Sequence, residues 1–598
     1  VVTFLGPGAV GDGGDDEVPL VANLRSVELS DHPLLVSLRD RTGCIAQEAL
    51  RLSRQLAAAL PDVLTSRPSP DLPSIWECFE HEFARHSLAP ALMNLEIARA
   101  ALAGADLVRV RMYETSGGAW WLGGSGADEA LTEALRHFGP GIDHASGARW
   151  VRWRARLLPW LARRASRPVD SCFYCLPRSG EALLTEPCDV LFLGIAATSA
   201  PLIAHLTRGL EAQGLRCLTV DYHYEQSTAA LREAGLRVID GRPYATSGAA
   251  RAVRKSFGVL RRESLAGVGE LVAAGRWPPW LEWFTQCRLT VALARDLPVV
   301  AGHLVLARWI LEAVQPRLVV GFHMSPDFVA PLMLAARLRG VPTVCSQHGI
   351  RGPVHRNGVA LPWDYLLAWG QYTVDLYEGL TDEPSRWVVT GNCLYDREPH
   401  PPAPSPCGRG GVGSTTCPVV LVATQTDEPQ VKRSQPRWWL RGVAEACRNL
   451  GARLVIKTHP AETARSIYRE ITGAFPETVQ RLEPAQSTLG EALAQAAVLV
   501  TRDSTAVYEA ALAGKPALTI TLPPYRPRFP LAQHGGAIGV STYEEIEPAL
   551  RDALSGGHAT QELTRRRPQF LEYHLGPQDG HATSRTLAAL REAIGEAG

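Results

Sequence analysis

Apolar and polar positions follow two different periods along this chain, and the change from one to the other divides it. Before residue 186, LLVSLRDRTGCIAQEALRLSRQLAAALPDVL and EHEFARHSLAPALMNLEIARAALAGA carry apolar residues at helical spacing, while DLVRVRMYE followed by GGAWWLGG reads as a strand and a turn. This predicts an α-rich region over residues 1–185 with a little β structure. From Asp189 the order becomes strand, helix, strand: DVLFLGI is a short buried strand, APLIAHLTRGLEAQG an amphipathic helix ended by Gly214, and LRCLTVDY the next strand. After LRVID the pattern is helical as far as RWILEAVQP, and RLVVGFH, APLMLAARLRG and VPTVCSQHG then resume the alternation. PHPPAPSPCGRGGVGSTTCP has no hydrophobic period and reads as a linker, placed at 399–416. Past it the grammar restarts with VVLVATQ, RLVIKTHP, VLVTRDST and PALTITL, each followed by helix or turn, and TSRTLAALREAIGEA closes the chain as a helix.

The fold class expected is therefore α/β: two tandem Rossmann-like domains, 186–398 and 417–598, preceded by an α-rich N-terminal domain. Open sheets of this kind bind ligands at the carboxyl ends of their strands, so the residues just past each strand are the ones to inspect. No G-x-G-x-x-G and no G-x-x-x-x-G-K-[ST] stands at a strand-to-helix junction, which removes the main support for a dinucleotide oxidoreductase or a P-loop kinase.

Charge and cysteines narrow the picture further. Lys plus Arg and Asp plus Glu are both 61, so nothing in the balance advertises nucleic acid or an anionic membrane as a general partner, and any anion site is local. The 12 cysteines are scattered, mostly in apolar runs, as buried free thiols are in a reducing compartment. Cys172 and Cys175 form one C-x-x-C without the second pair of a zinc ribbon, so no metal is expected. The N-terminal stretch lacks a basic n-region and no run of about 18 apolar residues occurs, so neither a signal peptide nor a membrane span is expected and a cytoplasmic location is. RWVRWRARLLPWLARRASRP (149–168) reads either as an amphipathic helix with its Trp residues in a core or as a dock for a partner or the inner membrane face.

Four strand-end clusters carry candidate chemistry. In VIKTHP, Pro460 stops the strand, so His459 stands on the loop at the sheet edge, where imidazole and the Lys457 ammonium suit a phosphate; the alternative is a histidine capping the next helix. In VTRDSTAVYEAALAGKP, Asp503, Ser504 and Thr505 open a helix whose N–H groups suit a phosphate, with Glu509 one turn on as a partner for ribose hydroxyls; an ordinary N-cap explains the same spacing. In SQHGIRGP, His348 before Gly349 is placed to deprotonate an acceptor hydroxyl, and upstream His323, Ser325 and Asp327 occupy another strand end, with Asp327 either the base or the group that orients His348. Trp369 and the Gly391-Asn392 pair read as turns near the domain junction that shape the cleft.

Together SQHG, AWGQY, VVTGNCLYD, KTHP and RDSTAVYEAALAGKP resemble the two-Rossmann GT-B glycosyltransferases of bacterial surface polysaccharide synthesis. The nearest likenesses are the capsule polysaccharide (Kdo-transferring) proteins, the CDP-glycerol glycerophosphotransferases and the CMP-sugar sialyltransferases. The resemblance covers about residues 186–598; residues 1–185 match no family. It implies that His459, Ser504 and Thr505 contact the donor phosphate, that His348 is a candidate acceptor-side base, and that transfer needs no metal and no cofactor. The Asp-containing motif of some sialyltransferases is not recognisable, which leaves the base open between His348 and Asp327, and IRGPVHRNG does not match the longer motif of the teichoic acid enzymes. The donor expected is a CMP-linked acidic sugar, ahead of a CDP- or UDP-linked one, and the acceptor a glycan, a lipid-linked primer or a protein. Two rivals stand beside this reading: a UDP-GlcNAc 2-epimerase-like enzyme on the same fold, and a non-catalytic glycan-assembly scaffold.

Overall fold

The computed structural model describes residues 2–5, 17–19, 33–102, 108–111, 187–194, 199–221, 225–240, 248–294, 296–322, 329–352, 363–378, 386–396, 417–424, 435–459, 466–482, 487–522, 527 and 529–595. The linker at 399–416, the basic stretch 149–168 and the Cys172/Cys175 pair lie outside them.

A small parallel sheet opens the chain: β1 (Val2–Leu5), β2 (Glu17–Pro19) and β3 (Val108–Arg111), in the order β2-β1-β3. Only β3 was legible as a strand, because β1 and β2 are four and three residues long and take their pairing from elsewhere in the chain. The helices Thr42–Ala57 and Ala89–Leu102 follow the helical period, the second entered through a π-helical turn at Ala84–Leu88. Their apolar faces do not close a core alone. Ile45, Ala49, Leu56, Trp76, Phe83 and Met93 share one with Val253, Leu260, Leu281, Leu289 and Leu293 from the helices Gly248–Ala273 and Pro279–Ala294. Those two helices fall in the stretch assigned by sequence to the first Rossmann-like domain. A Cβ on Gly267 would overlap the Ala59 carbonyl oxygen, so the two helical segments approach at backbone contact, and Trp277 Nε1 donates to Gln55 Oε1 at 3.2 Å.

The helix Asp296–Val314 joins this helical unit to the first large sheet. Leu297 and Ala301 lie in the helical core, whereas Leu306, Ile310, Leu311 and Val314 lie in the core of the sheet. Its 19 residues are long and apolar enough to cross a membrane. Here that apolar surface is used on two protein cores in succession.

The first large sheet contains β4 (Val190–Gly194), β5 (Cys217–Asp221), β6 (Val238–Asp240), β7 (Leu318–Gly321), β8 (Thr343–Ser346), β9 (Tyr365–Ala368) and β10 (Arg386–Val389), all parallel in the order β10-β9-β8-β7-β4-β5-β6. The second contains β11 (Val419–Ala423), β12 (Arg453–Lys457), β13 (Val479–Leu482), β14 (Val498–Thr501), β15 (Ala517–Ile520) and β16 (Ile538–Val540), also parallel, ordered β13-β12-β11-β14-β15-β16. Helices cover both faces, which is why these strands are apolar without alternation. Strand order reverses between β7 and β4 in the first sheet and between β11 and β14 in the second, and such switch points open a crevice at the carboxyl edge. Two parallel-sheet α/β domains in tandem are the GT-B arrangement that the motifs led one to expect.

The last helix departs from its sequence assignment. His558–Leu575 packs Phe570, Leu571 and Leu575 on the second domain. The chain then turns at Gly576, with φ +73°, and Ala582–Gly595 buries Leu587, Leu590, Ala593 and Ile594 in the core of the first sheet. Asp396 fixes the crossing by accepting from the Ala582 and Thr583 N–H groups at 3.1 and 2.7 Å.

Candidate functional site

At the second sheet, β12 sends Leu454 and Ile456 into one core and Val455 into the other, and Lys457 ends the strand. The backbone N–H of His459 donates to Thr424 Oγ1 at 2.9 Å, and Thr424 N–H donates to the Lys457 carbonyl at 3.1 Å. Two loops next to the switch point are thereby tied together, with the His459 ring half-buried between them. Burial pushes that imidazole below its ordinary 6.5, so it is neutral at pH 7 and offers one donor and one acceptor. Pro460 lies outside the described residues.

Lys457 also ties the strand end to a neighbouring loop. Its Nζ donates to the Ser487 carbonyl at 2.5 Å, just ahead of the capping box in which Thr488 and Glu491 start the helix Leu489–Gln495. Burial lowers its pKa against the opposing pull of Glu491. One of the ammonium's three N–H groups is thus given to backbone.

The β14 edge shows the same economy. Thr501 Oγ1 donates to the Ala423 carbonyl at 3.0 Å. Asp503, 2% exposed, accepts from the Phe529 N–H at 3.2 Å, which makes it an anchor for the loop after β15. Ser504 Oγ accepts from the Ala506 N–H at 3.2 Å, and its own proton remains to donate. Thr505 stands at the N-cap of Ala506–Leu512 with no side-chain cap bond, and Glu509 follows half-buried in that helix.

At the first sheet, His348 Nδ1 lies 2.5 Å from the Phe322 carbonyl, just past β7. A carbonyl only accepts, so Nδ1 carries a proton. A Cβ built on Gly349 meets nothing within 4 Å. Gln347 clamps the loop: its Nε2 donates to the Gly349 carbonyl at 3.0 Å, its Oε1 accepts from the Trp369 N–H at 2.8 Å, and its carbonyl accepts from Trp369 Nε1 at 2.9 Å. His323, Ser325 and Asp327 lie outside the described residues.

Trp369, Gly391 and Asn392 belong to the joint between the domains, near which the sequence placed them. Trp369 and its neighbour Ile350 pack into the core of the second domain, the indole against Tyr395 with ring centroids 6.4 Å apart. Gly391, at φ +88°, lies where a Cβ would strike Ala582, because the crossing chain needs that approach. Asn392 Oδ1 accepts from Leu394 N–H at 3.0 Å and caps a short 3-10 turn.

A group that sequence reading did not find also occupies this joint. Tyr508 OH and His574 Nδ1 are 2.9 Å apart, His574 Nε2 and His534 Nδ1 are 2.8 Å apart, and the Tyr372 ring of the first domain lies on His574 at 4.4 Å. Burial, with His534 as the second cause, pushes His574 down to about 3. Positions 372, 508, 534 and 574 share no motif, so only the fold brings them together. Among the described residues no cluster of His, Cys, Asp and Glu could hold a metal.

No protein-family model and no curated protein matches the chain. Among solved structures it is similar to a UDP-GlcNAc 2-epimerase from Neisseria meningitidis bound to UDP-GlcNAc, 13% identical with a TM-score of 0.40 over 68% of this chain and 99% of that one. It is similar to a glycosyltransferase from Rickettsia africae, 11% identical with a TM-score of 0.41 over 68% and 99%. A spinosyn rhamnosyltransferase complexed with spinosyn aglycone is 14% identical, with a TM-score of 0.37 over 67% and 99% of the two chains.

Proposed function

We propose that this chain is a glycosyltransferase that moves a sugar from a nucleotide-activated donor, a CMP-linked acidic sugar ahead of a CDP- or UDP-linked one, to a hydroxyl acceptor in surface glycan or glycoprotein synthesis, without a metal. The observation that carries the reading is the setting of His348. Its tautomer is fixed by the Phe322 carbonyl, and Ile350 and Trp369 press its sheet edge against the domain that bears His459, Ser504 and Thr505. In the reaction, Nε2 takes the proton of the acceptor hydroxyl as its oxygen bonds to the anomeric carbon, and the bond from that carbon to the donor phosphate oxygen breaks. The charge left on the phosphate is met by the Ser504 and Thr505 hydroxyls and by a ring N–H of His459, with the Lys457 field behind them.

A thermal-shift series with CMP, CDP, UDP, GDP and ADP, repeated on Ser504→Ala, tests the donor side. A ligand at a hundred times its Kd that binds only the native state stabilises it by about 2.7 kcal/mol. We expect one cytidine or uridine nucleotide to shift the wild type and to lose that effect in Ser504→Ala. His459→Ala weakens nucleotide binding and turnover together, whereas His348→Ala spares binding and lowers turnover by about a hundredfold or more. Normal turnover in His348→Ala removes the base assignment. Conversion of the donor sugar without any acceptor moves the reading to an epimerase, and no shift with any nucleotide moves it to a scaffold.

A further inference from the structure

Arg351 follows His348 by three residues, and nothing in the site described so far uses it. Its Nε and Nη2 atoms are both shut off from solvent and have no hydrogen-bond partner among the described residues. A buried guanidinium edge left unpaired carries the full desolvation cost of a charged group, so it calls for a specific explanation. Other arginines around the same sheet have carboxylate partners: Arg337 with Asp364 at 3.0 Å, Arg585 with Asp579 at 2.8 Å, and Arg339 through Nη2 with Asp71 at 2.7 Å, although its Nε is also buried without a partner among the described residues.

The unpaired atoms form a recognition element. Nε–H and Nη2–H lie along one edge of the guanidinium and point the same way, matching the two oxygens of a carboxylate or phosphate. Elsewhere in this chain that edge performs this task. Arg51 holds both oxygens of Glu48 through Nε and Nη2 at 2.6 and 2.5 Å, and Arg565 holds both oxygens of Glu562 through the same atoms at 2.9 and 2.6 Å. The loop also restrains Arg351, since Ile350 is packed on the second domain and Gln347 ties the turn before it. The guanidinium lies close enough to β8 for its charge to be felt at the Cys345 thiol. The unpaired edge thus belongs to the loop that follows β8, three residues past His348.

We propose that the Nε/Nη2 edge of Arg351 binds a carboxylate or phosphate group of the substrate beside His348, making it a specificity residue for an acidic substrate. The inference rests on the reading of this strand edge as the substrate site. An anion there would complete the side chain and hold the reacting sugar or acceptor at a fixed distance from the imidazole.

The test uses the full chain and has two arms. In the first, wild type, Arg351→Gln and Arg351→Lys are melted in increasing inorganic phosphate or acetate against chloride at constant ionic strength. Wild type is expected to gain stability with one of the two anions, Arg351→Lys to keep part of the gain and Arg351→Gln to lose it. Equal gains in wild type and Arg351→Gln, or none in wild type, overturn the proposal. The second arm titrates CMP and a CMP-linked sialic acid into wild type and Arg351→Gln. A loss of about tenfold or more confined to the acidic sugar assigns a carboxylate, and an equal loss for CMP assigns the donor phosphate. Undiminished binding of both, with the first arm positive, assigns the group to the acceptor. Absence of any Ser504-dependent nucleotide binding, with the first arm positive, fails the donor reading while leaving the Arg351 anion site standing.

Discussion

The carboxyl edges of the two sheets carry similar residues and treat them in opposite ways. At the second, polar groups are largely occupied by the protein itself: Lys457 by the Ser487 carbonyl, Asp503 by the Phe529 N–H and the His459 backbone by Thr424. At the first, His348 Nδ1 donates to the Phe322 carbonyl, and two nitrogens of the Arg351 guanidinium have no hydrogen-bond partner among the described residues. A strand-end position thus makes a polar residue a candidate. Whether it is available to a ligand depends on the loops that fold against it.

The largest effect is expected at the joint between the two sheet domains. Trp369→Ala removes an indole buried in the neighbouring domain's core and is expected to cost about 3–5 kcal/mol in urea unfolding. A cost below about 1 kcal/mol would return Trp369 to the cleft.

Acidification is the next largest probe. His574 is held neutral with its pKa pushed down to about 3 from 6.5, so the unfolded chain takes up a proton in that interval that the folded chain refuses. Its contribution is complete above pH 6.5 and is lost as pH falls toward 3, by about 2 kcal/mol between pH 6.5 and 5. His81 and His303, pushed down to about 4 by burial, add to the same trend from other parts of the chain. Melting temperature measured against pH should fall steadily through this range; a flat profile would mean that the His534–His574 pair accepts a proton without cost.

Asp503→Ala and Ser504→Ala then separate anchor from ligand within one turn. The first is expected to lose about 1–3 kcal/mol of stability, because the buried Phe529 N–H is orphaned. The second should lose about 1 kcal/mol or less and act chiefly on nucleotide affinity. The reverse pattern would make the two edges alike. The smallest effect is expected from Lys457→Met, about 1 kcal/mol, with nucleotide affinity lowered less than in His459→Ala.

Much of this organisation can be traced to particular residues. The apolar runs DVLFLGI, RLVVGFH, VVLVATQ and VLVTRDST became β4, β7, β11 and β14, because a strand covered on both faces must be apolar without interruption. Their ends were recognisable because glycine, proline and short hydroxyl residues interrupt an apolar run. For the same reason His348, His459 and Ser504 could be singled out as strand-end residues. Arg351 could not, since within IRGP it looks like any loop arginine, and only the surrounding packing reveals two nitrogens with no acceptor among the described residues. The helices Gly248–Ala273 and Pro279–Ala294 could not be placed either, because helical period reports that a face is buried without naming its partner.

By itself, then, the sequence determined the type and order of the elements in the two sheet domains and the positions where polar groups meet strand ends, since these follow from local periodicity and backbone chemistry. Tertiary structure alone decided that the last helix returns to the first sheet, that Tyr372, Tyr508, His534 and His574 meet in one joint, and which charged groups are already satisfied. Those are contacts between residues far apart in the chain, and no local pattern encodes the partner at the other end.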